Sequence, residues 1–193
     1  MSAPGRQTTT RCAIWPDQRL RDFMARSTSR LPSRSLMVSR LSCSAAVLEG
    51  TDVVYVLRVH THKIMRTSLG VGSRLPAYCT ALGRVLLAGL DDADLRQRLQ
   101  ASKVQKNTEH TETDIDQLLA RIGQVRRQGW SLVNQELEEG LISVAAPIVG
   151  RSGRVVAAIN ISGQVNRTDV QAMEQRYLPA LLQRARAISA RMV

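Results

Sequence analysis

The chain has 193 residues, 44% of them hydrophobic, 22% charged and only 3% aromatic, with a formal net charge of +11; this is the composition of one compact domain of about 150 residues plus a tail. Its longest charge-free stretch, Val155–Asn166, is broken by Asn160, Ser162 and Gln164 and falls short of the roughly 20 apolar residues of a bilayer span, and no apolar core follows Arg6 and Arg11 as a secretory leader requires. The three cysteines (Cys12, Cys43 and Cys79), odd in number and without CxxC spacing, argue against a disulfide framework or zinc module and for a soluble, reduced, cytoplasmic protein.

Residues 1–40 hold eight arginines and two aspartates, so much of the basic excess sits in the first fifth of the chain. Such an arm can follow a phosphate backbone through counterion release; it also reads as a solvated, poorly structured lead-in. Arginine outnumbers lysine 24 to 3 throughout, so arginine richness alone marks no nucleic-acid site. Within the arm, Asp17–Ala25 could make a short helix. From Leu41 the character changes, and a folded domain is expected over 41–193. Cys43–Leu48 and Val53–His60 are short apolar runs around Glu49-Gly50-Thr51-Asp52, the pattern of a β-hairpin. Ile64–Leu69 could add a third strand.

Three helices are predicted next. Thr80 can cap Ala81–Gly89, and Asp91 can cap Asp92–Gln100 with further acids at the positive end of its dipole. Thr113 with Asp116 forms a weak capping box for Asp114–Gln128, with Ile115, Leu118, Leu119, Ile122 and Val125 on one face and Gly129 as the stop. Strands follow at Trp130–Glu136, Leu141–Val149 and Val155–Ser162, the last two joined by the turn signal Gly150-Arg151-Ser152-Gly153. Thr168 with Gln171 opens a final helix that Pro179 should kink or split near Leu178. The elements are grouped rather than alternating. That order argues for an α+β fold, an antiparallel sheet with flanking helices, and against a parallel sheet.

Catalytic motifs are missing: no GxSxG, HExxH, GxxxxGK[ST] or GxGxxG occurs. His60 and His62 would share a strand face but lack a nearby Cys, Asp or Glu at ligand spacing, so no metal site is expected. Glu136 and Glu138 should share a face at a strand end, as a solvated turn or as the polar wall of a cleft. Cys79, at a helix start, would have its thiol pKa lowered by the dipole, yet no histidine partner is in view. No catalytic residue and no cofactor are assigned.

A ligand pocket remains. Pro76–Arg84 is a loop feeding a helix start with small side chains, and the free N–H groups of Ala81, Leu82 and Gly83 suit a carboxylate. Asn160 and Ser162 lie side by side on one strand face. Polar groups in a strand otherwise of Val, Ala and Ile need partners if buried, and a bound polar ligand or a capping water would supply them.

The blocks Arg74–Ala88 (RLPAYCTALGRVLLA), Gly129–Gly140 (GWSLVNQELEEG) and Ser143–Ile148 (SVAAPI), with Cys43–Leu48 and Val54–Val56 upstream, resemble the effector-binding domain of IclR-type transcriptional regulators. The resemblance covers about residues 41–193. Around Tyr78–Gly83 and Gln135–Gly140 it is most similar to regulators of the protocatechuate, 4-hydroxybenzoate and β-ketoadipate pathways. It implies a GAF- or PAS-like sensor domain with homodimer or homotetramer contacts. It also implies an effector site at Thr80, Ala81 and Leu82, continuing through Asn134 and Glu136, Ser143 and Pro147, and Asn160 and Ser162. Leu82 and Asn160 stand where other members have smaller groups. A winged helix-turn-helix of about 60 residues would precede such a domain, whereas 40 residues rich in Ser, Pro and Arg precede the resemblance, so the DNA-binding domain is expected to be lacking.

The sequence therefore points to the ligand-sensing, oligomerising half of a regulator of aromatic-acid catabolism, with a small aromatic or oxo-carboxylic acid as effector. DNA would be reached through the missing domain or weakly through the basic arm. The rivals are a free-standing basic nucleic-acid binder, disfavoured by the lack of interleaved aromatics, and an enzyme acting on an aromatic acid, disfavoured by the lack of an acid–base or metal constellation.

Overall fold

A computed structural model describes residues 41–59 and 69–192. The expectations for residues 1–40, for His60 and His62, and for most of the Ile64–Leu69 strand lie outside the described residues. Among those described, no helix is long and apolar enough to cross a membrane.

Six strands form one antiparallel sheet. They are β1 (Ser42–Glu49), β2 (Asp52–Val59), β3 (Arg74–Pro76), β4 (Ser131–Asn134), β5 (Leu141–Val149) and β6 (Val155–Gln164). Their spatial order is β3-β2-β1-β6-β5-β4. The hairpins β1–β2 and β5–β6 follow the turn signals, and β1 joins them by pairing with β6. β3 arises where the sequence reads as a loop: three residues are too few to show alternation, and Pro76 can sit only at a sheet edge.

Strand alternation sorts the side chains into two cores. On one face α1 (Ala81–Ala88), α2 (Asp92–Ala101) and α3 (Ile115–Gln128) cover Ala46, Val53, Tyr55, Ala145 and Ala158. On the other, α5 (Leu178–Ser189) lays Leu178, Leu181, Ala185 and Ile188 on Ile142, Val144, Ile148, Ile159 and Ile161. The result is an α+β fold with helices on both faces of a central antiparallel sheet.

Every residue of α1 is buried. Its approach to the preceding loop is so close that a Cβ on Gly83 would lie 2.1 Å from the Ala77 carbonyl oxygen; only glycine fits. α3 ends at Gly129, whose φ of +79° is the left-handed conformation that glycine adopts most readily. Two caps fall one residue later than the sequence suggests. Asp114, not Thr113, accepts from the Gln117 N–H at 2.8 Å, because the Glu112 carboxylate already holds the Thr113 and Asp114 N–H groups. Asp169, not Thr168, caps the short α4 (Val170–Ala172), accepting from the Ala172 N–H at 2.7 Å, while Thr168 is turned inward beside Gly163. The split at Leu178 occurs as expected from Pro179. A π turn, Met173–Tyr177, separates α4 from α5, and the proline occupies the first turn of α5, where no N–H is needed.

Candidate functional site

The register of β1, β6 and β5 brings polar side chains from three strands to one place on the α1 side of the sheet. Ser42 pairs with Ser162, Ser44 with Asn160, and Ser143 with Ser162. All five residues are buried. The Asn160 amide organises them: its Oδ1 accepts from the Ser44 N–H at 3.0 Å, and its Nδ2 donates to Ser143 Oγ at 3.0 Å and Ser162 Oγ at 2.8 Å. Ser162 donates in turn to Ser143 at 3.0 Å, and Ser143 to the Ile161 carbonyl at 3.3 Å. The side-chain hydrogens of Asn160, Ser143 and Ser162 are thus spent within the floor, while oxygen lone pairs remain.

Above the floor stands the N-terminus of α1. Thr80 Oγ1 accepts from the Gly83 N–H at 3.1 Å and donates back to the Pro76 carbonyl at 3.2 Å. The N–H groups of Ala81 and Leu82 are the first two of the helix, have no acceptor within it, and carry the positive end of its dipole. Between floor and helix lies a cavity of about 30 Å³, lined further by Tyr55 and Arg58 of β2, Val133 of β4, and Leu137 and Leu141.

Beside the cavity, and not lining it, Arg84 of α1 and Glu136 form an ion pair in which both are at most 4% exposed. It is bidentate, with Nη1–Oε1 at 2.7 Å and Nη2–Oε2 at 2.6 Å, and Arg84 Nε also donates to the Tyr78 carbonyl at 2.8 Å. The Glu112 N–H and Arg121 add further donors to the carboxylate, at 3.2 and 3.5 Å. This cluster ties the loop before α3 and the turn after β4 to the helix that carries the Thr80–Leu82 edge. Nearby, burial pushes the Cys79 thiol up to about 12, the reverse of the dipole-lowered value expected at a helix start. Cys79 is 0% exposed, so desolvation of the thiolate outweighs the dipole.

Of the nine residues proposed from the sequence, Thr80, Ala81, Leu82, Ser143, Asn160 and Ser162 line the cavity, and Asn134, Glu136 and Pro147 do not. Asn134 follows Val133 on a regular strand, so its side chain faces the other side of the sheet. Glu136 lies past the end of β4, buried and engaged by Arg84; of the two expected settings, a solvated turn or the polar wall of a cleft, it is not solvated, and it stands beside the cavity without lining it. Pro147 shares the face of Ser143 but lies four residues along β5, about 13 Å away. Sequence reasoning missed Ser42, Tyr55 and Arg58. No local signal marks Tyr55 and Arg58, for they are three apart on a strand and would ordinarily face opposite ways.

An antiparallel sheet between helical layers, with a buried polar cavity at a helix N-terminus, defines a sensor-type α+β domain. Residues 21–190 match the family described as Bacterial transcriptional regulator IclR C-terminal, and the chain belongs to that family. It is similar to the Pca regulon regulatory protein of Pseudomonas putida, 47% identical over 146 residues that cover 75% of this chain and 50% of that protein. The Pca operon regulatory protein of Acinetobacter baylyi is 33% identical over 163 residues, 81% and 59% of the two chains. Among solved structures, a transcriptional regulator from Rhodococcus sp. RHA1 superposes with a TM-score of 0.81 at 41% identity, covering 89% of this chain and 67% of that one. The inducer-binding domain of PobR from Acinetobacter, a double mutant in complex with 3-hydroxybenzoic acid, gives 0.73 at 28% identity, covering 89% and 96%. This chain spans about half the length of the curated relatives it matches.

Proposed function

We propose that this chain is the ligand-sensing and oligomerising domain of a cytoplasmic transcriptional regulator of aromatic-acid catabolism, and that it binds a small carboxylic acid in the cavity under α1. The observation that carries the reading is the pairing of two unused helix N-terminal N–H groups with a buried floor of lone pairs. A carboxylate needs donors, and the helix start offers them with a favourable dipole. A hydroxyl elsewhere on the same molecule can donate to the lone pairs of the polar floor, while Val133, Leu137 and Leu141 supply apolar lining. The likeness to the Pca regulators and to a domain crystallised with 3-hydroxybenzoic acid supports an aromatic acid.

The effector class includes oxo-acids for a physical reason. A cavity of about 30 Å³ holds a water or two, whereas a dry cavity of about 150 Å³ accommodates benzene. An aromatic acid therefore enters by displacing Leu137, Leu141 or Tyr55, and a two- or three-carbon oxo-acid displaces less. Binding rather than catalysis is the proposed role, since the Cys79 thiol at the cavity is kept protonated by burial and the hydroxyls of Thr80, Ser143 and Ser162 donate to one another or to backbone carbonyls. Contact with DNA is assigned to another part of the regulator, with the arginines of residues 1–40 able to add sequence-independent attraction to phosphate.

A thermal-shift panel of protocatechuate, 4-hydroxybenzoate, β-ketoadipate, pyruvate and glyoxylate tests this. A ligand at about 100 times its Kd adds roughly 2.7 kcal/mol to the folded state, a rise of several degrees for a domain of this size. The expected result is the largest shift from an aromatic carboxylate. Absence of a shift from all five acids, with folded protein, overturns the small-acid reading.

A further inference from the structure

We propose that Ser42 reads a hydroxyl group on the effector together with Ser162, so that the cavity favours a hydroxy-acid over an oxo-acid or an unsubstituted acid; this rests on the acid-sensing reading above and narrows it. The pairing of β1 with β6 and of β6 with β5 sets Ser42, Ser162 and Ser143 in one row across three strands, all buried. Ser162 and Ser143 are bonded to each other and to the Asn160 amide. Ser42, at the end of the row and 1% exposed, lines the cavity, and among the described residues none donates to its hydroxyl or accepts from it. A buried hydroxyl normally has a partner, so an unpartnered one on a cavity wall points to the molecule that the cavity receives.

The other side-chain hydroxyls on the wall are committed. That of Thr80 donates to the Pro76 carbonyl and holds the Gly83 N–H, and that of Tyr55 is bonded to Arg58. The hydrogens of Ser143 and Ser162 are spent within the floor. Among the described residues lining the cavity, Ser42 therefore has the one hydroxyl hydrogen left to give. Its cross-strand partner offers the complement: Ser162 Oγ accepts from Asn160 and donates to Ser143, which leaves a lone pair. Directly opposite residues on antiparallel strands have Cβ atoms about 4.5–5.5 Å apart, so one ligand oxygen can reach both. A hydroxyl satisfies the two at once, accepting from Ser42 and donating to Ser162. A ketone oxygen takes the Ser42 hydrogen but sets its own lone pairs against that of Ser162, and a C–H or C–F bond at that place satisfies neither. A carboxylate, having acceptors only, is better served by the N–H groups at the start of α1.

The test is calorimetric titration of 3- and 4-hydroxybenzoate, the matching fluorobenzoates, benzoate, pyruvate and β-ketoadipate into the full chain and its Ser42→Ala variant. In the parent, the better hydroxybenzoate should bind at least about tenfold more tightly than its fluoro counterpart. Ser42→Ala should bring that ratio to within about threefold while benzoate affinity stays within about twofold, the loss expected when a hydrogen bond to the ligand is removed. Because the Ser42 hydroxyl has no partner within the protein, the same substitution should leave Tm level or slightly raised. A Tm lower by several degrees, or a variant that fails to fold, would show the hydroxyl engaged in the fold and overturn the assignment. Equal loss for every benzoate would put Ser42 on the carboxylate and overturn the hydroxyl reading. An unchanged hydroxy-over-fluoro ratio in the variant, a parent without that preference, or a parent that binds the oxo-acids but no hydroxybenzoate does the same, and acid sensing survives each of these results. A parent that binds none of the acids overturns the acid-sensing reading itself.

Discussion

Truncating Glu136 to alanine would leave the Arg84 guanidinium, on a residue 3% exposed, with only the Tyr78 carbonyl as acceptor, and would strip the Glu112 N–H of its partner. A buried ion pair gains little relative to apolar packing, but removing one member strands the other charge, at a cost of about 3–5 kcal/mol. Against a total stability of roughly 5–15 kcal/mol for a typical domain, that loss is large. With about 2–4 °C per kcal/mol at this chain length, Tm should fall by roughly 6–20 °C. The double variant Arg84→Met with Glu136→Leu removes both charges at similar volume and should recover most of the loss. Chemical denaturation of the parent, of Arg84→Met and Glu136→Leu alone, and of the double variant gives the coupling directly. A loss below about 1 kcal/mol for Glu136→Ala, or a double variant no more stable than the single, would refute the claim that this pair ties the loop before α3 to α1.

Three further outcomes follow from local geometry. Gly83→Ala puts a methyl group 2.1 Å from a backbone oxygen, so it should destabilise by at least the 1–3 kcal/mol typical of overpacking, visible as a lower denaturation midpoint. Asp114→Ala should cost about 1 kcal/mol as a lost N-cap while Thr113→Ala is nearly silent in the same assay; the reverse ranking would return the cap to Thr113. Cys43 and Cys79 have thiols pushed by burial up to about 11 and about 12 from an ordinary 9.0, so native protein at pH 8 should resist alkylation at both until denaturant is added. Because these folded-state values are raised, the stability tied to the protonated thiols is intact below pH 9 and is lost as pH rises from 9 towards 11 and 12. Cys79→Ala should flatten that alkaline decline.

Apart from β3, the order of the described elements, the caps at Thr80 and Asp91, the stop at Gly129 and the break at Pro179 were legible in the sequence, since each depends on residues within four or five positions of one another. The polar triplet Ser143, Asn160 and Ser162 was partly legible for the same reason: buried polar residues in an apolar strand are conspicuous before their partners are known. The family resemblance supplied the rest of that reading and also carried over Asn134, Glu136 and Pro147, which do not line the cavity.

Tertiary structure decided what depends on register and on distant pairing. Arg84 and Glu136 are 52 residues apart, and no local pattern tells a buried bidentate pair from two surface charges. Alternation extended one turn too far made Glu136 a strand residue, whereas β4 ends at Asn134 and the next side chains obey turn geometry, with Gln135 at a φ of +62°. The same sensitivity governs β2. Its apolar run is continuous in the sequence, but one unpaired residue, Val56, reverses every side chain beyond it. A period-2 code carries no record of where it slips, so the face on which Arg58 lies belongs to the folded sheet alone.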